Sequence, residues 1–184
     1  FYKQENNSYK VLVTDSYEYN NPREDRILSW DFTIDNEEFS VGPATVLGNP
    51  TLYQVESIQA DKHYQTLLVA EEMKEHHKVM ALDLMTGEVI KEDLGNFDRG
   101  NDPEGIALVV NKNNNGYWIC TEQSKTDNRF HLYDRKTLEY MTTMYLDNVS
   151  YTDGIATAYM HGKWFLYAVD NDARIVAFEL PEIN

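Results

Sequence analysis

The sequence predicts an all-β fold, and three observations carry that prediction. Its apolar residues fall in short runs of about seven, rich in Val, Ile, Tyr, Trp and Thr, with no long stretch at helical spacing. Clusters of Asn, Asp, Gly and Lys, which are turn residues, separate the runs. The runs also recur in a fixed order, with acids held in register.

The elements can be justified in chain order. "YKVLVTDS" (9–16) reads as an unmatched earlier copy of the strand run, and "ILSWDFT" (27–33) follows it. The acidic segments "YEYNNPRED" (17–25) and "IDNEEFSVG" (34–42) read as loops. Three fuller copies come next. Each opens on an acid, a small residue and an apolar residue: "VESIQAD" at 55, "PEGIALV" at 103 and "TDGIATA" at 152. Each continues with a second apolar run: "TLLVAEE" (66–72), "GYWICTEQ" (116–123) and "WFLYAVDN" (164–171). A third run closes each copy: "KVMALDL" (78–84), "RFHLYDR" (129–135) and "RIVAFEL" (174–180). Glu56, Glu104 and Asp153 stand 48 and 49 residues apart. Asp31, Asp83, Asp134 and Glu179 align in the third run, at spacings of 52, 51 and 45.

A repeat of this length with three or four strands in each copy is the pattern of a β-propeller blade. A sandwich has no reason to repeat its acids. The whole chain, 1–184, reads as about three and a half blades: a partial one over 1–50 and repeats starting near 55, 103 and 152. Such an array leaves strand edges and apolar faces open. The opening "FYKQENNSYKVLVTD" reads as a strand already in progress. The expectation is therefore the C-terminal part of a larger propeller, with the remaining blades in the same or another chain.

Composition narrows the function. With 31 acids and 16 bases the formal charge is −15, which argues against nucleic acid and against anionic membrane surfaces. No apolar run approaches the roughly 20 residues that span a bilayer. The single cysteine, Cys120, lies in the apolar run "GYWIC" and reads as core.

Rotation about a propeller axis turns a position repeated in every blade into a ring. Glu56, Glu104 and Asp153 should therefore converge at one mouth of the channel. The acids that end the second strands, around Glu71, Glu72, Glu122, Asp170 and Asn171, should sit near them. Two carboxylates 4 Å apart at an effective dielectric of about 20 repel by about 4 kcal/mol. Protonation relieves this, and so does a hard cation. An oxygen-only donor set without thiol or imidazole favours Ca²⁺ over zinc. The third-run acids Asp31, Asp83, Asp134 and Glu179 read instead as turn caps. His76 and His77, in "KEHHK", read as exposed. Lys62, Lys74, Lys78 and Lys125 read as loop residues.

At these residues the chain resembles the calcium-dependent β-propeller phytases, a six-bladed family that hydrolyses phytate. "QVESIQADKHYQTLLVAEE" is similar to that family's acid-glycine-apolar strand and the strand with paired glutamates after it. "DPEGIALVVNKNNNGYWICTEQS" is similar to the next blade, and "YTDGIATA" with "LYAVDND" to the last. The resemblance implies calcium ligands at Glu56, Glu72, Glu104, Asp153, Asp170 and Asn171, and Gln123 at the end of a second strand. It implies a phytate-like phosphorylated small molecule as substrate, a calcium-activated water as the attacking group, and a secreted or periplasmic location. Two departures stand out. Ser57 replaces the glycine of the "EGI" motif. Asp15, Ser16 and Tyr17 stand where the family has a phosphate-holding lysine. Most of the family's other phosphate-gripping bases lie in blades this sequence lacks, so the 184-residue piece is expected to be inactive by itself. No catalytic or substrate-binding residue is assigned. The competing readings are a calcium-dependent lactonase or esterase propeller, and a non-catalytic, calcium-stabilised binding module.

Overall fold

The computed structural model describes residues 1–4, 7–17, 21–35, 38–48, 50–98 and 100–181. Among these every regular element is a strand. The first sheet contains β1 (Tyr2–Lys3), β2 (Ser8–Thr14), β3 (Ile27–Asp35) and β4 (Glu38–Val41) in that order, with β5 (Thr45–Val46) also pairing β3. The second is β6 (Val55–Asp61), β7 (Thr66–Glu71), β8 (Lys78–Asp83) and β9 (Val89–Lys91). The third is β10 (Asp102–Val110), β11 (Gly116–Gln123), β12 (Arg129–Asp134) and β13 (Tyr140–Tyr145). The last has three strands: β14 (Ile155–Met160), β15 (Lys163–Asp170) and β16 (Arg174–Glu179). All pairings are antiparallel, and all but that of β3 with β5 join chain neighbours.

The first strands stand side by side, with β10 packed on β6 at one flank and on β14 at the other. Sheets stacked this way are propeller blades. Alternation along each strand sends one residue set toward the preceding blade and the other toward the following one. Ile27, Leu47 and Leu52 of the first blade meet Leu67, Val69, Met80 and Leu82 of the second. Leu68, Ala70, Val79 and Ala81 of the second meet Ile106, Trp118, Cys120 and Tyr133 of the third. Tyr117, Ile119, Phe130 and Leu132 of the third meet Leu166 and Ala168 of the last. Cys120 is core, as its apolar run predicts.

A buried ion pair clasps the second and third blades. Arg135 Nε and Nη2 donate to Asp61 Oδ2 and Oδ1 at 2.6 and 2.8 Å, and Nη1 donates to the Asn114 carbonyl at 2.6 Å. Asp83 and Asp134 cap their turns as expected. Asp83 Oδ1 accepts from the amides of Met85 and Thr86, and Asp134 Oδ1 from those of Lys136 and Thr137. Asp31 and Glu179 differ, since they pair across a ladder with Lys10 and Lys163.

Three expectations are corrected. Segment 34–42 holds the end of β3 and all of β4, with Ile34 opposite Phe39, so it is a hairpin and not a loop. Its acids obscure the apolar alternation of Phe39 and Val41. Lys78 begins β8 rather than lying in a loop. His77 is not exposed: its side chain is 9 % accessible and faces Asp102, while His76 is exposed and stacks on Tyr53. Residues 18–20, within the 17–25 turn, lie outside the described residues.

Candidate metal centre

The acids that open the first strands are re-aimed by irregularities in the ladder. In β6, Val55 pairs with Glu71 and Ser57 with Ala70, which leaves Glu56 with no residue opposite. In β10, Pro103 pairs with Glu122 and Ile106 with Cys120, so Glu104 and Gly105 together face one residue. A bulge turns a side chain out of strict alternation, and here it sends a glutamate toward the channel in both blades. Gly105 also has a steric reason: a Cβ there would lie 2.8 Å from Ile155 Cγ1 and from the Ile155 amide. Ser57 is tolerated at the matching place because its hydroxyl accepts from the Ile106 amide at 3.2 Å.

The acids at the ends of the second strands separate into two roles by the same alternation. Glu71, Glu122 and Asp170 turn back and latch the segment that leads into their own blade. Glu71 accepts from the amides of Tyr53 and Gln54, both at 2.7 Å. Glu122 accepts from the Asp98 amide at 3.3 Å and Asn101 Nδ2 at 2.6 Å, with His131 Nε2 2.7 Å away. Asp170 accepts from the Ser150 amide at 3.0 Å, and its other oxygen takes Arg174 Nε at 2.7 Å. The next residue in the second and third blades, Glu72 or Gln123, is the one the pattern points at the mouth.

Glu56, Glu72, Glu104 and Asp153 do come together. Gln54 Nε2 donates to Glu56 Oε1 at 3.3 Å and, closely, to Glu72 Oε2. Gln123 Nε2 donates closely to Asp153 Oδ1, joining the third blade to the last. Burial pushes the Glu104 carboxyl up to about 9, and the charges of Glu72, Glu56, Asp153 and Asp102 act the same way. Burial also lifts Glu72 to about 8, aided by a hydrogen bond and charge from Glu56. Asp153 is raised by burial and then by its contact with Asp172, against the opposing pull of Gln123.

Asp102 and Asp172 are members that sequence reasoning missed. Each lies two residues from a recognised position, Glu104 or Asp170, so the period-two pattern carried the signal. Asp170 has a different place from the one expected. The Ser150 amide and then Arg174 hold its carboxyl below the ordinary range. With Asn171 it lines a separate cleft of about 440 Å³, beside Asn128, Tyr145 and Asp147, which contains none of the clustered acids. Among the described residues no three acid, thiol or imidazole groups form a ready-made metal shell. The donors nevertheless suit a hard cation. They are oxygens, Glu104 is buried with Glu56, Glu72 and Asp102 half-buried, and no lysine or arginine among the described residues ion-pairs with them.

The fold and this site define a β-propeller whose blades bring acids to the channel mouth. The family model for phytase matches residues 34–163, and the chain belongs to the phytase family. No curated protein matches it. Among solved structures, a thermostable family-43 glycoside hydrolase is similar at a TM-score of 0.57 with 12 % identity, over 92 % of this chain and 62 % of that one. A nidogen/laminin complex is similar at a TM-score of 0.49 with 15 % identity, over 82 % of this chain and 59 % of that one. The chain thus spans less than two thirds of either structure.

Proposed function

We propose that this chain is the metal-holding part of a calcium-dependent phosphomonoesterase acting on phytate-like phosphate esters, completed by further blades. The observation that carries the reading is the meeting of Glu56, Glu72, Glu104 and Asp153, with Asp102 and Asp172, without a lysine or arginine among the described residues paired to them. These carboxylates would hold Ca²⁺. Gln54 and Gln123, whose NH₂ groups now donate to them, can present carbonyl oxygens by rotating the terminal amide. Bound calcium would neutralise substrate phosphate and raise the acidity of water at the phosphorus. The chain's own residues hold the ligands: the bulges aim Glu56 and Glu104, and the latches Glu71 and Glu122 fix the strands that carry Glu72 and Gln123. Sites of modest affinity fill where calcium is abundant, which suits a secreted or periplasmic protein.

The shortage of basic groups at the cluster, where His77 is the nearest cationic candidate, favours a second reading: a calcium-stabilised binding module. Phosphate release from phytate separates the two. The complete propeller should release phosphate only with calcium, and Glu104→Gln should abolish most of that release. The 184-residue chain alone should show little. A complete propeller that binds calcium and leaves phytate intact would establish the module instead.

A further inference from the structure

Residues 72–77 join β7 to β8 at the mouth where the acids gather. Two hydrogen bonds tie this loop down. Glu71 Oε1 accepts from the Met73 amide at 3.3 Å, and the Met73 carbonyl accepts from the His76 amide at 2.8 Å. Glu75 adopts φ 81°, a conformation that costs a non-glycine residue energy and persists only where the surroundings impose it. The two histidines that follow part company. His76 turns outward, and its ring stacks on Tyr53 with centroids 4.1 Å apart. His77 turns inward, its side chain 9 % accessible and its Nε2 3.2 Å from Asp102 Oδ1.

That nitrogen is the unusual group. Its approach to Asp102 misses hydrogen-bond geometry, and Nε2 has no hydrogen-bond partner among the described residues. Buried polar atoms are nearly always satisfied, because an unmet one bears its whole desolvation penalty. Asp102 stands close enough to Glu72 and Glu104 for its charge to act on both, so the imidazole faces the carboxylate cluster. A cation held there would take the carboxylate oxygens and leave Nε2–H aimed at whatever else the cation binds. That ligand must accept a hydrogen bond beside a cation. A phosphate monoester dianion meets both demands, since one oxygen can bind Ca²⁺ while another accepts from the ring. An ester or lactone carbonyl offers one oxygen, which the cation itself would occupy.

We propose that His77 is a substrate-binding residue, whose Nε2–H donates to a phosphoryl oxygen of a phosphate monoester held at the calcium cluster. The inference rests on the calcium-dependent reading above. It needs no charge on the ring, because a neutral imidazole with its proton on Nε2 already donates. The contact serves bound substrate and transition state alike, so its loss belongs in KM more than in kcat.

The test uses the complete propeller at saturating calcium, with phenylphosphonate as a non-hydrolysable analogue of a phosphate monoester. His77→Ala should bind calcium as the wild type does and weaken phenylphosphonate by about tenfold or more. His77→Gln, which keeps an N–H near the Nε2 position, should recover most of that affinity. With phytate, His77→Ala should raise KM about tenfold and leave kcat within about threefold. In wild-type NMR spectra the His77 ring signals should move when phenylphosphonate is added with calcium, and stay still in chelator. Those spectra need no variant, so they decide the question even where His77→Ala fails to fold. Unchanged phenylphosphonate affinity in His77→Ala, or ring signals that do not respond to the analogue, overturns the proposal. Weakened calcium binding in His77→Ala overturns it too, and makes the imidazole a support for the metal ligands. A propeller that binds calcium, and phenylphosphonate through His77, yet leaves phytate intact upholds this contact and overturns the hydrolase reading.

Discussion

Glu56 and Asp61 sit at opposite ends of one strand and meet opposite circumstances. Asp61 is buried and fully answered by Arg135, which the third blade delivers in bidentate geometry. Glu56 stands among Glu72, Glu104 and Asp153, where it accepts from the Gln54 amide and shares a hydrogen bond with Glu72. Where an acid holds the fold together, the chain supplies the opposite charge. Where the chain gathers acids and supplies none, the missing charge must come from solution. One end of the inner strands is therefore a structural clasp and the other the cation site proposed above.

The largest expected effect breaks the clasp. Arg135→Met leaves Asp61 buried without its partner, which should cost about 3–5 kcal/mol. For a chain of this size that is a fall in melting temperature of roughly 6–20 °C. Calcium should not rescue it. A loss of only a degree or two would mean that water replaces the guanidinium and that the two ends differ less than proposed.

The next effect belongs to the other end. Calcium at 100 times its dissociation constant should stabilise the protein by about 2.7 kcal/mol per site. That is roughly 5–11 °C in a thermal melt. Glu104→Gln should remove most of this increment. In chelator the same variant should melt no lower than the wild type, since it removes a member of a mutually repelling group. A Glu104→Gln chain that is destabilised without calcium and still responds fully to it would place the ion elsewhere.

How much of this could be read from sequence depended on period. The acid-glycine-apolar repeat placed Glu56, Glu104 and Asp153 together because blade symmetry converts spacing into proximity. The same reasoning did not separate Asp170 from Glu72, because paired polar residues at a strand end look alike until alternation is counted from the strand's core. Asp102 escaped because it precedes the motif, and the bulge at Glu104 was invisible without the ladder. The clasp was unreadable: Asp61 and Arg135 are 74 residues apart and only blade packing joins them. The hairpin within 34–42 was hidden by acids on the face opposite Phe39 and Val41.

Titration without metal probes the same acids. Carboxyls of the unfolded chain ionise near about 4.3, whereas folded Glu72 and Glu104 keep their protons to about 8 and about 9. Between those limits the native state binds more protons than the unfolded one, so stability falls as pH rises. Melting temperature in chelator should decline from pH 5 to pH 9, and saturating calcium should flatten the slope. A metal-free profile that rises over this range would mean that the acids are kept apart or neutralised from within the chain.

The smallest effect sharpens the border of the site. Asp170 was expected among the calcium ligands, yet its oxygens already serve the Ser150 amide and Arg174, and the cleft it lines holds none of the clustered acids. Asp170→Asn keeps one carbonyl oxygen for the Ser150 amide and gives up the ion pair with a largely exposed arginine, so the fold should lose little. The calcium increment should be unchanged. Glu72→Gln, at the neighbouring position of the equivalent strand end, should instead cut the increment sharply and leave the metal-free melt intact or slightly raised. Calorimetric titration of calcium into both variants checks the contrast directly. Equal loss of calcium affinity in the two would return Asp170 to the ligand set and extend the cation site into the last blade.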